Sequence, residues 1–351
     1  MTANLIPNIL EYDETPKPDE SSHPNPFKVL SYEGLESAEP PPPLFYIEYQ
    51  TRDLSFIPRG KVGVIGGFGG SGKSMAVMHL ALSIASGKNT LMRCYNGGVL
   101  MPNPVTHKVA LLFGEEDEAG CLYRLKCQLD KMNLRGNYHS FINNLKIIPL
   151  ATAGDVSLVH GRNRDETGME PEHRYKLLEK TLIEASPDGY DLIVVDPLSH
   201  FGGLDFENDN GMAVRLMRKL TQLTTLKGSP TVLGVHHSPK GAKNNRLDDA
   251  LRGSSALKDN SRWVGIIRRI NEDTEGLTSM TTSQGHRVIE LVTAKTNYTE
   301  PAQRVRFALD KGSITAITEL KLLDPTKDQE QTTNGNNASK RGGNSGSRNV
   351  R

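Results

Sequence analysis

The sequence has almost no net charge, few cysteines and no long apolar run. Across 351 residues, 42 Lys and Arg stand against 41 Asp and Glu, a net charge of +1. This balance excludes a global basic field, so contact with nucleic acid has to come from a local patch. No apolar run reaches the roughly 18 residues that cross a bilayer, and the N-terminus is acidic and polar. We therefore expect neither a membrane span nor a signal peptide.

The three cysteines, Cys94, Cys121 and Cys127, are too few for a disulfide framework. Their number is odd, and no pair has the spacing of a CxxC motif or of a zinc site. We expect reduced thiols in a cytoplasmic protein, each packed as a small hydrophobic side chain.

Both ends of the chain are polar. Residues 1–43 hold nine of the 20 prolines and show little apolar periodicity, which predicts a disordered proline-rich arm. Residues 323–351 are nearly devoid of apolar side chains and carry more Lys and Arg than Asp and Glu, which predicts a disordered basic tail. Between them, residues 44–322 are long enough for one folded domain, and we expect residues 44–58 to pack on its core.

The most informative stretch is residues 61–87, where an apolar strand, a glycine-rich turn and a helical pattern follow one another. Gly67, Gly72, Lys73 and Ser74 satisfy the phosphate-loop motif G-x-x-x-x-G-K-[ST] in the strand–helix context that the motif requires. Backbone N–H groups of such a loop surround a polyphosphate, Lys73 would reach the β- and γ-phosphates, and Ser74 would hold Mg²⁺. The alternative is a glycine-rich turn that binds nothing. The predicted nucleotide-binding residues are Gly67, Phe68, Gly69, Gly70, Ser71, Gly72, Lys73, Ser74 and Met75.

Strands and helices alternate through the middle of the chain. Apolar runs at 108–113, 145–149, 191–196 and 231–237 predict buried strands, and helical patterns intervene. One such pattern has Leu122, Leu125, Leu129 and Met132 at helical spacing. The later strands, at 263–270, 287–295, 304–309 and 313–317, lack intervening helices. We therefore predict an α/β fold, a mostly parallel sheet flanked by helices with antiparallel strands at the C-terminal side.

Polar residues stand at the carboxyl ends of the predicted parallel strands, where the nucleotide should lie. Asp196 ends the strand 191–196 and is a candidate Mg²⁺ ligand, or else a helix cap. Glu116, with Glu115 as second choice, could orient and deprotonate water, and the alternative is a solvated acidic turn. His236 and His237 could sense the γ-phosphate, or be satisfied strand-end histidines.

The stretch 239–252 is polar and basic. Arg252 could stabilise transition-state charge across a subunit boundary, with Lys295 a second candidate for that role. The cations Lys240, Lys243 and Arg246 suit contact with a nucleic-acid backbone, although a solvated loop fits equally well. Trp263 is expected in the core rather than on a stacking platform.

The order of these motifs resembles the RepA-type replicative helicases of plasmids and phages, within the RecA/DnaB-like ATPases, a group of AAA domain proteins. The resemblance spans roughly residues 50–310. Its matching pieces are GGFGGSGKS, LLFGEED, YDLIVVDPLSHF, VHHSPKG, LRGSSALKDNSRW and LVTAKTNY.

This resemblance implies a RecA-like core assembled as a homo-hexameric ring around single-stranded DNA, with ATP between subunits. By position it makes Lys73, Ser74, Glu116 and Asp196 the nucleotide and catalytic set. It makes His237, with His236, the γ-phosphate sensor and Arg252 the arginine finger, and it turns loops 202–211 and 239–251 towards the central channel. The arm and tail depart from the family pattern and are candidate contacts for other replication proteins. Where ring helicases often carry Lys-x-Arg, this chain has Lys295-Thr296-Asn297, which weakens the case for Lys295.

The sequence is compatible with three different functions. The first is an ATP-driven DNA helicase or translocase that serves the replication of a mobile element. The second is an ATP-switched DNA-binding or recombination-accessory protein that unwinds nothing, and the third is a signalling ATPase that ignores DNA.

Overall fold

The structure is a computed structural model that describes residues 32–33, 35–40, 42–49, 52–94, 97–159, 169–203, 206, 209–237, 255–270, 280–282, 285–298, 303–317 and 320–322. The chain divides into two units, Met1–Pro40 and Pro41–Arg351. In the first unit the described residues form a 3₁₀ turn at Leu35–Ser37. The predicted arm lies largely outside the described residues, and the predicted tail lies wholly outside them.

The second unit contains all the other elements. Its strands are β1 (Pro43–Glu48), β2 (Asp53–Pro58), β3 (Val62–Gly67), β4 (Val99–Pro102), β5 (Val109–Phe113), β6 (Leu145–Pro149), β7 (Leu192–Asp196), β8 (Thr231–His237), β9 (Trp263–Arg269), β10 (Met280–Thr282), β11 (Arg287–Thr296), β12 (Arg304–Asp310), β13 (Ser313–Thr315) and β14 (Leu320–Leu322). Its helices are α1 (Lys73–Ser86), α2 (Glu118–Lys131), α3 (Pro171–Ala185), α4 (Leu198–Gly202), α5 (Asn210–Leu223) and α6 (Ser255–Asn260).

The main sheet has a parallel centre and an antiparallel side. Strands β9, β3, β8, β7, β5 and β6 lie side by side in that order and run parallel. Strands β11, β12 and β13 continue the sheet beyond β9 in antiparallel pairs. The parallel strands are almost continuously apolar because helices cover both of their faces. This arrangement confirms the predicted α/β fold.

Helices α1 and α2 cover one face of the sheet, and α3, α4, α5 and α6 belong to the core on the other face. One face of α5 points into the core, since Met212, Leu216, Leu220 and Leu223 are buried. The predicted helical pattern is confirmed as α2, although Leu122 of that pattern is 58% exposed. Cys121 and Gln128 are buried there beside Leu125 and Leu129. A polar residue has therefore taken a core position.

A small second sheet precedes the phosphate loop. Strands β1 and β2 form an antiparallel hairpin, and β4 pairs with the other edge of β1. The sequence predicted only that residues 44–58 would pack on the core. Phe45, Phe56 and Ile57 are fully buried, so this sheet belongs to the core beside α1.

A buried ion triad ties the antiparallel strands together. Glu290 of β11 lies opposite both Arg268 of β9 and Arg306 of β12. Arg268 Nη2 lies 2.8 Å from Glu290 Oε2, and Arg306 Nη2 lies 3.1 Å from Oε1. Glu290 is 1% exposed. Its charge is tolerated in the interior because both carboxylate oxygens are paired with an arginine.

The sequence predicted that Trp263 lies in the core. Trp263 is 1% exposed and meets Phe56 edge-on with ring centroids 5.8 Å apart, which confirms it as a core residue.

Within the described ranges, the helices are too short or too polar to span a bilayer.

Candidate nucleotide site

The phosphate loop joins β3 to α1 through two glycines that no other residue could replace without strain. Gly67 has φ 156° and Gly72 has φ 88°. A Cβ on Gly67 would come within 2.3 Å of the Ile267 carbonyl oxygen, and one on Gly72 within 2.8 Å of Leu309 Cδ1. Gly72, the N-cap residue of helix α1, has no side chain that could cap the helix, whereas Asp117 caps α2. The first N–H groups of α1 are therefore left for an anion.

Lys73 is buried inside the loop that it closes. Its Nζ donates hydrogen bonds to the carbonyl oxygens of Gly67 at 2.7 Å and Phe68 at 2.8 Å. Burial lowers the pKa of Lys73 to about 8, although the charges of Asp196 and Glu115 act in the opposite direction. The ammonium is thus desolvated at the start of α1, where a phosphate would restore its preference for the charged form.

Ser74 and Asp196 meet at the end of β7. The Ser74 hydroxyl faces the Asp196 carboxyl and acts to lower its pKa, in opposition to burial. Burial raises the pKa of Asp196 to about 6. Its Oδ2 is buried without a hydrogen-bond partner in the described part of the chain.

This pair fits Mg²⁺, which prefers oxygen ligands and takes most of them from phosphate and water. The described residues contain no cluster of three or more His, Cys, Asp or Glu that could hold a metal alone. An ion here would therefore depend on the phosphates of a nucleotide for its remaining ligands.

The two glutamates after β5 have different surroundings. Glu116 lies on the wall of the cavity beside the loop and forms an ion pair with Arg124 of α2. Glu115 is exposed, and its charge acts on both Lys73 and Asp196. Both carboxylates therefore remain candidates for orienting water.

The histidine pair ends β8 beside the start of the loop, because His236 pairs with Gly66 and His237 with Gly67. His236 is 3% exposed and lies edge-on to Phe206, with ring centroids 6.3 Å apart. Burial lowers the pKa of His236 to about 4, so the ring is neutral at pH 7. His237 reaches the cavity wall, which places it rather than His236 nearer to a bound phosphate.

A cavity of about 610 Å³ extends from the phosphate loop to α2 and to the turn between β12 and β13. Sequence reasoning missed the cations that line it, Arg287 of β11 and Lys311 of the turn, and gave no role to Arg124. It also missed Arg269, whose Nη2 donates to the Gly70 carbonyl at 3.2 Å. The topology of the sheet brings Arg269, Arg287 and Lys311 towards the loop. The cations that line the cavity, Arg124, Arg287 and Lys311, make it suitable for an anion.

Other predicted residues lie elsewhere. Arg252, with Lys240, Lys243 and Arg246, falls outside the described residues. Lys295 Nζ donates to the carbonyl oxygens of Lys258 at 2.7 Å and Asp259 at 3.1 Å, at the end of α6 of the same chain. Lys295 is thus engaged in holding a helix, which argues against a role as a finger.

A family model described as an AAA domain matches residues 22–243. Among solved structures, the ATPase domain of G40P is similar with a TM-score of 0.49 and 14% identity, over 75% of this chain and 87% of that one. A KaiC-like protein from Pyrococcus horikoshii OT3 has a TM-score of 0.45 and 12% identity, over 74% and 91%. A DnaB-like replicative helicase, in a structure titled for its interactions with primase, has a TM-score of 0.48 and 13% identity, over 74% and 59%. The family match includes Lys73, Asp196 and both histidines.

Proposed function

The chain belongs to the AAA domain family, and we propose that it is an ATP-driven DNA helicase or translocase of the RepA type. The observation that carries the proposal is the convergence of four features at one edge of the sheet. They are the strained glycine loop with Lys73, the Ser74–Asp196 pair, the glutamates after β5, and His237. Each of these features has a task in phosphoryl transfer.

ATP with Mg²⁺ is the substrate that fits these residues. The loop N–H groups and Lys73 would bind the β- and γ-phosphates, and Ser74 and Asp196 would hold the metal. Bound Mg²⁺ would neutralise charge on the phosphates. Glu116 would orient and deprotonate the attacking water, with Glu115 the alternative, and His237 would register the presence of the γ-phosphate.

The helicase part of the proposal rests on the resemblance of the motifs. From it we infer a homo-hexameric ring that encloses single-stranded DNA, in which Arg252 reaches the site of the neighbouring subunit. The basic stretch with Lys240, Lys243 and Arg246 would contact the DNA backbone, and the two tails would contact other replication proteins. The three free cysteines support a reducing, cytoplasmic location.

We expect single-stranded DNA to raise the rate of ATP hydrolysis at low salt, because phosphate contacts are screened as salt increases. The purified protein should also have the mass of a ring and should displace a strand from forked DNA. DNA-stimulated hydrolysis without strand displacement would favour the ATP-switched DNA-binding protein instead. Hydrolysis that ignores DNA at every salt concentration would contradict both readings.

Glu116→Gln should lower kcat at least about a hundredfold, whereas Glu115→Gln should lower it less, because the base supplies proton transfer in the transition state. ATP binding should survive in both variants, since neither carboxylate belongs to the phosphate loop. Arg124→Gln serves as the control for the loss of the Glu116–Arg124 ion pair and should change KM more than kcat. The reverse order of the two glutamate effects would assign the base to Glu115.

A further inference from the structure

A buried amide joins α2 to the hairpin formed by β12 and β13. Gln128 of α2 is fully buried. Its Nε2 donates to the Ile314 carbonyl oxygen at 3.1 Å, and the Ile314 N–H donates to its Oε1 at 3.0 Å. The same Nε2 lies 3.1 Å from Nδ1 of the buried His79, whose Nε2 accepts a hydrogen bond from the Leu91 N–H at 2.9 Å. The side chain of Gln128 is therefore held in one orientation from three directions.

An ion pair nearer the surface makes a second connection between α2 and the hairpin. Lys131, one turn further along α2, forms an ion pair with Asp310, the last residue of β12. The turn that follows contains Lys311 with φ 48° and Gly312 with φ 87°, so both turn residues have left-handed backbone conformations. Such a two-residue turn matches the twist of its strands. The hairpin is thus attached to α2 on both sides of its turn, through Asp310 before it and Ile314 after it.

This hairpin forms one wall of the nucleotide cavity. Lys311, Gly312 and Ser313 of the hairpin line the cavity together with Tyr123, Arg124 and Cys127 of α2. The phosphate loop lines it as well. Because the phosphates belong at that loop, the space between α2 and the hairpin is where the nucleoside part of ATP would lie.

We propose that Gln128 is a positioning residue that sets the width of the nucleoside end of the cavity by fixing the β12–β13 hairpin to α2. The proposal rests on ATP binding at the phosphate loop. Gln128 does not line the cavity. Its effect would pass through the backbone of Ile314, which follows the lining residue Ser313. Without the paired hydrogen bonds, the hairpin would lose its fixed distance from α2.

The test compares Mg-ATP with inorganic tripolyphosphate, which has the phosphates and lacks the nucleoside. Gln128→Leu should weaken binding of ATP about tenfold, the equivalent of one lost polar contact. Binding of tripolyphosphate should change less than about twofold, since the phosphate loop is untouched. In kinetics, KM for ATP should rise while kcat at saturating ATP is nearly retained.

Leu182→Ala is the control, because Leu182 is a fully buried residue of α3 on the other face of the sheet. It should lower the unfolding temperature without changing the ratio of the two affinities. Should Gln128→Leu fail to fold, Lys131→Met removes the surface half of the connection and should shift the ratio in the same direction by a smaller factor.

Two results would overturn the role of Gln128. One is an equal loss for ATP and tripolyphosphate. The other is a wild-type ratio of the two affinities in Gln128→Leu or, should that variant fail to fold, in Lys131→Met. Failure of the wild-type protein to bind either ligand would instead contradict the proposed function itself.

Discussion

Lys73→Ala should lower kcat for ATP hydrolysis about 10⁴-fold or more. Removing one neutral donor to a developing oxyanion costs roughly 10²–10³ in kcat, and charge-assisted hydrogen bonds have about twice the free energy of neutral ones. Lys73 is the buried cation at the start of α1, 3% exposed and desolvated. Its charge therefore acts on the phosphates through little intervening water.

The same residue predicts how binding depends on pH. The Lys73 pKa is lowered to about 8, and bound phosphate favours the charged form, so affinity for ATP should fall as pH rises above about 8. The Asp196 pKa is raised to about 6, and a metal ligand must be deprotonated, so Mg²⁺-dependent affinity should fall below about pH 6. Isothermal titration across this range should show tightest binding between these values. The alkaline decrease should be absent from Lys73→Ala.

Lys61→Ala is the matched control for Lys73→Ala. Lys61 directly precedes β3, at the opposite end from the phosphate loop, and its Nζ lies 5.3 Å from the centroid of the Tyr298 ring. Its removal should leave hydrolysis nearly unchanged. Turnover close to wild type in a folded Lys73→Ala protein would contradict the assignment of the phosphate loop.

The central strands could be predicted from sequence because their apolar runs are continuous. The predicted strand 231–237 coincides with β8, and 145–149 with β6. The small sheet could not be predicted in the same way. Strand β4 is four residues long and lies in a stretch rich in Gly, Pro and Asn, and its partner β1 is about fifty residues away. Pairing across that distance leaves no local pattern.

The residues of the site also differ in whether their positions could be predicted from the sequence. The position of Asp196 and Glu116 could be predicted because parallel strands end at a common edge of the sheet. Arg287 and Lys311 could not, since they reach the cavity only through the antiparallel strands. The burial of Gln128 could not be predicted from the sequence of its own helix. The helical pattern of α2 includes the exposed Leu122 and not Gln128. Gln128 is buried because Ile314, 186 residues later, supplies both a donor and an acceptor.

Arg252→Ala should lower kcat about 10³–10⁵-fold and leave ATP binding nearly intact, because an arginine finger acts on charge that develops in the transition state. Arg252 lies outside the described residues, and its assignment rests on the sequence. Only two residues separate it from α6, which is anchored by the buried Ala256 and Leu257 and by Lys295 at its C-terminal carbonyls. Arg135→Ala is the control, since Arg135 is an exposed arginine paired with Asp130, and it should hydrolyse ATP normally.

A mixture of two inactive variants would show whether Arg252 acts across a subunit boundary. Arg252→Ala keeps Lys73, and Lys73→Ala keeps Arg252. A mixed assembly therefore contains boundaries where one subunit supplies the intact Lys73 and its neighbour supplies the intact Arg252. A random equal mixture should regain about a quarter of the wild-type hydrolysis, because one boundary in four combines them correctly. An arginine that served its own subunit would give no recovery at any ratio. Mixtures that assemble, as measured by mass, and remain inactive would therefore contradict a shared site.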